Sequence, residues 1–178
     1  MGYSLVEFCH DVRAILRESD DRDGRERVRQ KLETLLGDRD FCAKYVGAGN
    51  DAGMEQIYED PEFHFCVLAY NMTEPRTSPP HDHGASWAVY GQASGHTDMT
   101  VWSAPGDDGR LEPVRNFRLA AGQAGLFDVR EIHSIDYTAG AKFVRVTGVD
   151  MTDQERRVFD PETGEVQEVQ GVSTSTTR

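Results

Sequence analysis

The chain has 178 residues, of which 38% are hydrophobic, so it can bury one substantial core but is too short for two full-sized domains. Lys and Arg number 19 against 31 Asp and Glu, which gives a formal net charge of −12. This charge repels phosphate backbones and anionic lipid surfaces, so nucleic acid and membranes are excluded as expected partners.

The first fifty residues have the periodicity of helices. Behind a capping-box pattern formed by Ser4 and Glu7, apolar residues recur at helical spacing, namely Leu5, Phe8, Val12, Ile15 and Leu16. The spacing returns after an Asp/Arg-rich turn, and Gly37 supplies the signal that ends this second helix. A shorter third helix is expected around Phe41 and Tyr45. We therefore predict a helical segment over residues 1–50 that packs on the rest of the chain.

From about residue 54 the sequence changes to short β-type runs separated by Gly, Pro and Asp. These runs are 63–72, 86–92, 97–102, 113–119, 124–127 and 142–149. Many short strands with polar turns indicate an antiparallel sandwich or barrel rather than a parallel βαβ sheet. We predict one barrel over residues 51–165. Because the C-terminal residues are rich in Ser and Thr, we predict a flexible tail over 166–178.

Cysteine usage and the absence of long apolar runs bear on the compartment. Cys9, Cys42 and Cys66 lie at wide spacings and form no CxxC pair, as is typical of proteins in a reducing environment. No apolar run approaches the ~20 residues of a membrane span, and the N-terminus lacks the pattern of a secretory signal. We expect a cytoplasmic protein that is a monomer or, through an exposed β edge, a homodimer.

Two histidines lie two residues apart in the segment from Pro79 to Trp87, at His81 and His83. Residues two apart on an extended strand project to the same face, so these imidazoles can share one metal ion. Imidazole suits Fe, Zn, Cu or Ni, and a site with three nitrogen ligands leaves positions for water, substrate or oxygen. The pair by itself is weak evidence for a metal, because surface or hydrogen-bonding histidines show the same spacing.

This stretch resembles the first motif of the cupin family, in which two histidines precede a carboxylate and then a glycine. The matching positions are His81, His83, Ala88 and Gly95. The second motif, a glycine eleven residues before a histidine, falls on Gly122 and His133. The resemblance implies a mainly β fold, the cupin double-stranded β-helix or jelly-roll barrel, preceded by two or three N-terminal α-helices. It also implies a metal bound by His81, His83 and His133.

The carboxylate position of the first motif is occupied by Ala88, and a neutral three-histidine site resembles that of the thiol dioxygenases, which bind Fe(II). Other positions depart from cysteine dioxygenase. Ala88 cannot form the cysteine–tyrosine crosslink of the animal enzyme, and Thr147 stands where its tyrosine would be. No arginine between residues 54 and 60 corresponds to the one that binds the cysteine carboxylate. The closer resemblance is to predicted metal-dependent proteins of the double-stranded β-helix superfamily, and a different substrate is expected.

The resemblance implies a mononuclear non-haem Fe(II) dioxygenase of the thiol dioxygenase type, which adds O₂ to a small thiol or other anionic bidentate substrate. Zn or Ni are alternative metals, because three imidazoles suit them as well. Two further interpretations stay open. One is a three-histidine cupin that acts on a diketone or enol, or a Zn or Ni lyase or isomerase. The other is a cupin that binds a metal or small molecule without catalysis.

Strand parity selects the residues expected around the metal. Arg145 shares a strand face with Thr147, and it is the expected clamp for a substrate anion unless the neighbouring valines face inward. The complete prediction comprises two catalytic residues, Tyr90 and Tyr137, and four substrate-binding residues, which are Arg145, Gln92, His64 and Thr147. Asp128 and Glu131 are the acids placed to replace the missing carboxylate.

Overall fold

The computed structural model describes residues 2–106, 109–152 and 154–171. Three helices come first: α1 (Leu5–Glu18), α2 (Arg22–Leu36) and α3 (Arg39–Tyr45). The strands of the described residues follow, and they are β1 (Gly53–Glu59), β2 (Cys66–Asn71), β3 (Arg76–Thr77), β4 (Ala88–Ser94), β5 (His96–Trp102), β6 (Pro113–Ala120), β7 (Ala124–Phe127), β8 (His133–Tyr137), β9 (Lys142–Thr147), β10 (Glu155–Phe159) and β11 (Val166–Gln170).

The helices begin at polar side chains that accept hydrogen bonds from the first turn. The capping box of α1 is present, because Glu7 N donates to Ser4 Oγ at 3.3 Å and Ser4 N donates to Glu7 Oε2 at 2.8 Å. Asp21 and Asp38 cap α2 and α3 in the same way. The predicted helices are therefore confirmed, including the end of α2 at Gly37. Among the described residues, none of these helices has the length and apolar content needed to cross a membrane.

The central strands pair as one long antiparallel ribbon. Its tip is the hairpin of β5 and β6, and behind that tip β4 pairs with β7, β3 with β8 and β2 with β9. The ribbon winds into two sheets, ordered β1-β2-β9-β4-β7 and β3-β8-β5-β6. Nested pairing of this kind defines a jelly roll, so the predicted mainly β barrel behind N-terminal helices is confirmed.

The five-stranded sheet has one face against the helices and the other inside the barrel. On β9, Val144 and Val146 pack with the helices, whereas Phe143 lies in the barrel core. Helix α2 packs tightly on β4 at Gly91, where an added Cβ would lie 2.7 Å from Leu36 and 2.8 Å from Leu32. The helices therefore cover the outer face of this sheet and leave the barrel interior for the site.

The C-terminal hairpin of β10 and β11 corrects one prediction. A flexible tail was expected from residue 166, but Val166–Gln170 is a strand paired with Glu155–Phe159. The low apolar content of this segment predicted a tail without a core to hold it. The hairpin is held instead by hydrogen bonds between its two strands and by contact with the barrel. The remaining part of the predicted tail, 172–178, lies outside the described residues.

Candidate metal centre and anion cavity

Three histidines from two separated segments meet inside the barrel. His81 and His83 lie in the connection between β3 and β4, and His133 begins β8. One ligand nitrogen of each lies within 4.8 Å of the others, and all three side chains are buried. The backbones of His81 and His133 are bound to each other by two hydrogen bonds of 2.9 Å, which fixes the two segments side by side. The geometry therefore brings together the three histidines that the motifs single out.

Hydrogen bonds orient two of the rings for metal binding. His81 Nδ1 lies 2.9 Å from the carbonyl oxygen of Pro79, and His133 Nδ1 lies 3.3 Å from that of Glu131. Because Nδ1 carries the proton in such a contact, Nε2 of each ring has its lone pair available. His133 Nε2 is buried and has no hydrogen-bond partner among the described residues. An orphaned imidazole nitrogen between two other imidazoles is the donor arrangement that fits a transition metal.

The environment keeps these rings neutral. Burial lowers the pKa of His81 to about 4 and holds the pKa values of His83 and His133 well below the ordinary range. Neighbouring histidines act in the same direction on His83 and His133, since like charges disfavour protonation. Neutral imidazole is the form that coordinates a metal, so the site needs little proton release at neutral pH.

No carboxylate joins the three imidazoles among the described residues. Ala88 is fully buried on the inner strand face and offers no donor. The two acids expected to substitute for it are engaged elsewhere: Asp128 with Arg25, and Glu131 with Arg22 and the backbone N–H of Asp128. Neither acid belongs to the three-histidine cluster of the described residues. The resulting three-histidine set carries no formal charge, so a bound cation keeps its full attraction for an anion.

The histidine segment is fastened to the C-terminal hairpin. Asp82, between the two histidines, is fully buried and accepts hydrogen bonds from the backbone and side chain of Arg157. Gly84 has a φ of +59°, and an added Cβ there would lie 2.0 Å from the carbonyl oxygen of Glu155. A glycine is therefore required at this turn both for its conformation and for the close approach of β10.

A cavity of about 390 Å³ opens beside the three-histidine cluster. His81, Tyr90, Tyr137 and Arg145 line it, so four of the predicted site residues face the same space. Arg145 has 6% of its surface exposed, and its Nε and Nη2 have no hydrogen-bond partner among the described residues. Its guanidinium carbon lies 5.2 Å from the ring centroid of Tyr70 and 5.9 Å from that of Tyr90. The valines of β9 face the helices, and Arg145 consequently faces the cavity.

Tyr90 lies between the cavity and the three-histidine cluster. Its hydroxyl lies 3.3 Å from His83 Nε2, and its ring lies among His83, His133 and Phe143. Tyr137 reaches the cavity from β8 and packs against Phe143 at 5.6 Å between ring centroids. Aromatic rings therefore form much of the wall, with phenol groups as the polar contacts.

Three predicted site residues do not line the cavity. Gln92 is buried, but its amide donates to the carbonyl oxygen of Ser94 at 2.7 Å and accepts from Thr97 Oγ1 at 2.8 Å. Thr147 Oγ1 donates to the carbonyl oxygen of Val149 at 2.8 Å. His64 is exposed in a turn at φ +59°, before β2 begins. They lie outside the cavity lining because local hydrogen bonds occupy the first two and a turn displaces the third.

Among the cavity residues that the sequence reasoning missed are Tyr70 on β2, Arg76 on β3 and Arg156 on β10. The parity of β2 offered a signal for Tyr70, because Cys66, Leu68 and Tyr70 share the inner face. Strand β3 has only two residues, and β10 falls beyond the last predicted strand. No periodic pattern marks either arginine as a residue of the interior.

The nested ribbon winds into a two-sheet barrel, and its interior holds three histidines contributed by the β3–β4 connection and β8. The fold is a jelly-roll barrel, that is, a double-stranded β-helix. The predicted jelly-roll fold is thus confirmed, and the barrel carries a three-histidine site suited to a transition metal.

No protein-family model matches the chain, and no curated protein matches it. Several solved structures resemble it in fold. KdgF from Halomonas sp. is 10% identical with a TM-score of 0.42, over 53% of this chain and 76% of KdgF. A cupin-2 domain protein from Shewanella frigidimarina is 14% identical with a TM-score of 0.43, over 60% and 89% of the two chains. An uncharacterized protein with a double-stranded β-helix domain from Klebsiella pneumoniae is 13% identical with a TM-score of 0.40, over 71% and 92%.

Proposed function

We propose that this cupin is an Fe(II)-dependent dioxygenase that adds O₂ to a small anionic substrate, with a thiol as the preferred metal-binding group. The observation that carries the proposal is the position of Arg145. It is a buried cation without an anionic partner among the described residues, and it lines the same cavity as His81. A guanidinium left in this state is costly unless a ligand supplies the negative charge.

The charge of the site favours the same class of substrate. Three neutral imidazoles leave Fe(II) with its full positive charge, which attracts a thiolate or other anionic donor. When bound, iron supplies the one-electron chemistry that overcomes the slow reaction of O₂ with ordinary organic molecules. Arg145 orients the substrate by pairing with its carboxylate, as a planar guanidinium binds a carboxylate through two parallel hydrogen bonds.

The aromatic lining has two roles in this proposal. Tyr70, Tyr137 and Phe143 keep bulk water from the substrate and strengthen the pairing with Arg145. Tyr90, whose hydroxyl lies 3.3 Å from His83 Nε2, donates a hydrogen bond to the substrate bound in the cavity. Burial of its ring against Phe127 at 5.7 Å fixes the direction of that hydroxyl.

Metal analysis combined with oxygen uptake tests the proposal. Protein purified without added metal is expected to contain near-stoichiometric iron and to consume O₂ when a thiol carboxylate such as 3-mercaptopropionate is added. Stoichiometric zinc with no uptake under reducing conditions contradicts the dioxygenase and favours lyase or isomerase chemistry. Retention of iron with ligand binding but no consumption of any substrate favours a binding protein.

Substitution of Arg145 tests the role of the cavity cation. Arg145→Gln is expected to lower kcat/KM for 3-mercaptopropionate by about 100-fold, since a buried charge pair is lost. The same variant should keep its activity toward 2-mercaptoethanol, which has no carboxylate, within a few-fold of wild type. The matched control is Arg118→Gln, because Arg118 is an exposed arginine paired with Asp98 on the outside of the barrel. Equal losses for the two thiols would mean that Arg145 does not bind a carboxylate.

A further inference from the structure

The cavity has a charge opposite to that of the whole protein. The chain carries a net charge of −12, yet the described residues that line the cavity include three arginines, Arg76, Arg145 and Arg156, and no Asp or Glu. They enter from three different strands, β3, β9 and β10. An acidic protein that gathers three guanidinium groups around one small space has a local field suited to anions.

Other arginines of this protein are paired with carboxylates where they are partly buried. Arg13 binds Asp60 at 2.8 Å, and Arg157, the neighbour of Arg156, binds Asp82 at 2.6 Å. None of the three cavity arginines forms an ion pair with an Asp or Glu of the described residues. Arg156 Nε donates to the neutral carbonyl oxygen of Gly171 at 3.0 Å, which leaves its terminal NH₂ groups for another partner.

The three cations also act on one another. Burial lowers the pKa of Arg156, and the positive charges of Arg145 and Arg76 lower it further. Tyr90 and Asp82 act in the opposite direction, but the pKa of Arg156 still stays below its ordinary value. A negatively charged ligand lowers the repulsion among the three arginines. A ligand with a single negative group lowers only part of this repulsion.

The arginines differ in depth, which separates the positions at which they meet a ligand. Arg145 is buried between Tyr70 and Tyr90, Arg156 is half-buried, and Arg76 is exposed at the cavity mouth. The cavity volume of about 390 Å³ lies in the ordinary range for a small-molecule site. The positive charge thus extends from the floor of the cavity to its mouth. A small ligand in the cavity can therefore place more than one of its functional groups next to an arginine.

We infer that the substrate carries a second anionic group, and that it is a small dicarboxylate with one carboxylate on Arg145 and the other on Arg156 and Arg76. This inference rests on the proposed function for the role of Arg145, and it narrows the substrate to a thiol dicarboxylate. It assigns Arg156 and Arg76 as specificity residues. They select for the second carboxylate and have no part in binding the metal.

Ligand binding to the zinc-loaded protein tests this without turnover, because zinc has no redox chemistry. The probes are succinate and glutarate, each compared by calorimetry with the monocarboxylate of the same chain length, butyrate and pentanoate. We expect the dicarboxylates to bind at least about tenfold more tightly, since a charge-assisted contact is worth more than one decade of affinity. Equal binding of the two classes overturns the inference.

Variants locate the second carboxylate. Arg76→Gln and Arg156→Gln should each weaken the binding of succinate more than that of butyrate, and so reduce the preference for the dicarboxylate. Arg156→Lys keeps the charge and should keep most of the preference, which guards against loss of the hairpin contact to Gly171. Arg118→Gln is the exposed control and should change nothing. A preference that survives in the Arg76→Gln/Arg156→Gln double variant overturns the inference.

Oxygen uptake separates this inference from the proposed function. The thiol dicarboxylate mercaptosuccinate is expected to be a better substrate than 3-mercaptopropionate, and Arg156→Gln should remove the difference. Uptake with equal efficiency for both thiols leaves the dioxygenase standing and overturns the second carboxylate site. Tight, Arg156-dependent binding of succinate without any thiol-dependent uptake supports the anion site and overturns the dioxygenase.

Discussion

The carboxylate of Asp82 forms a salt bridge with Arg157 that joins the metal segment to the C-terminal hairpin. Asp82 Oδ2 lies 2.6 Å from Arg157 Nη2 and 2.8 Å from Nε, and Oδ1 accepts from the backbone N–H of Arg157 at 2.9 Å. The Asp82 side chain is fully buried, whereas Arg157 reaches solvent. Because Asp82 lies directly between His81 and His83, this pair controls the path of the backbone that carries both imidazoles.

We expect Asp82→Asn to lower the free energy of unfolding by about 3 kcal/mol, the usual cost of breaking a buried ion pair. Metal retention should fall with it, because the histidine segment loses its attachment to β10. Chemical denaturation of the metal-free protein and metal analysis after dialysis measure the two effects.

The matched control for that variant is Asp98→Asn. Asp98 binds Arg118 through the same two-nitrogen arrangement, at 2.7 and 2.8 Å, but on the exposed surface. Surface ion pairs contribute little, so this variant should match wild type in stability and metal content. Similar behaviour of the two variants would contradict the positioning role of Asp82.

His133→Ala should abolish metal retention. It removes the imidazole that lies between His81 and His83 and leaves two nitrogen ligands. His10→Ala, at an exposed position on α1, is the control and should bind metal as wild type does. Metal content is measured after purification under identical conditions. Stoichiometric metal in His133→Ala would show that the ligand set is misassigned.

Gly91→Ala should destabilise the contact between α2 and the barrel. A methyl group at this position meets the side chains of Leu36 and Leu32 at 2.7 and 2.8 Å, so these side chains or the helix that carries them must shift. Overpacking of this kind costs about 1–3 kcal/mol. Gly49→Ala has no atom within 4 Å of the added methyl and serves as the control. Unfolding curves that coincide for Gly91→Ala and wild type would refute the tight contact.

The buried carboxylate of Asp60 makes stability depend on pH. Burial by itself raises the pKa of Asp60, but donors from Phe63, Arg13, Glu62 and Tyr58 outweigh it and hold the pKa below the ordinary value. Because the folded pKa is the lower one, the stabilisation is present above the unfolded pKa of about 3.9 and is lost as pH falls through the folded pKa.

Comparison with Asp60→Asn tests that dependence. The wild-type protein should be more stable by about 3 kcal/mol near neutral pH, since the variant leaves Arg13 without its anion. The difference should stay constant above about pH 5 and shrink below about pH 4. If the difference in stability grows as pH falls, the pKa of Asp60 is raised by folding and the prediction is contradicted. Denaturant unfolding at a series of pH values measures it.

Local patterns gave the helices and most of the inner strands. Ser4, Asp21 and Asp38 cap the helices because their side chains satisfy nearby backbone N–H groups. The predicted run 124–127 coincides with β7, and 142–149 contains β9. In these segments the apolar residues of the sequence are the buried residues of the structure, because one continuous core covers them.

Strands without such a core were missed. The face of β1 that is most buried holds Ile57 and Tyr58 at a bulge, which breaks the alternation. Strands β10 and β11 are mostly polar, and pairing with each other and contact with the His81 segment hold them in place. Their stability comes from partners that are distant in sequence, so no local window contains the signal.

The sequence by itself determined the order of helices and barrel, the three histidines and the absence of a carboxylate at Ala88. Spacing and residue type suffice for these, because helical periodicity is local and each of the two motifs, one with His81 and His83 and one with His133, is a short run of sequence. Only the tertiary structure decided which side chains share the cavity. It excluded Gln92, Thr147 and His64 and added Tyr70, Arg76 and Arg156. The physical reason is that a cavity is formed where strands distant in sequence converge, and each polar group there is free or occupied according to neighbours that only folding brings near.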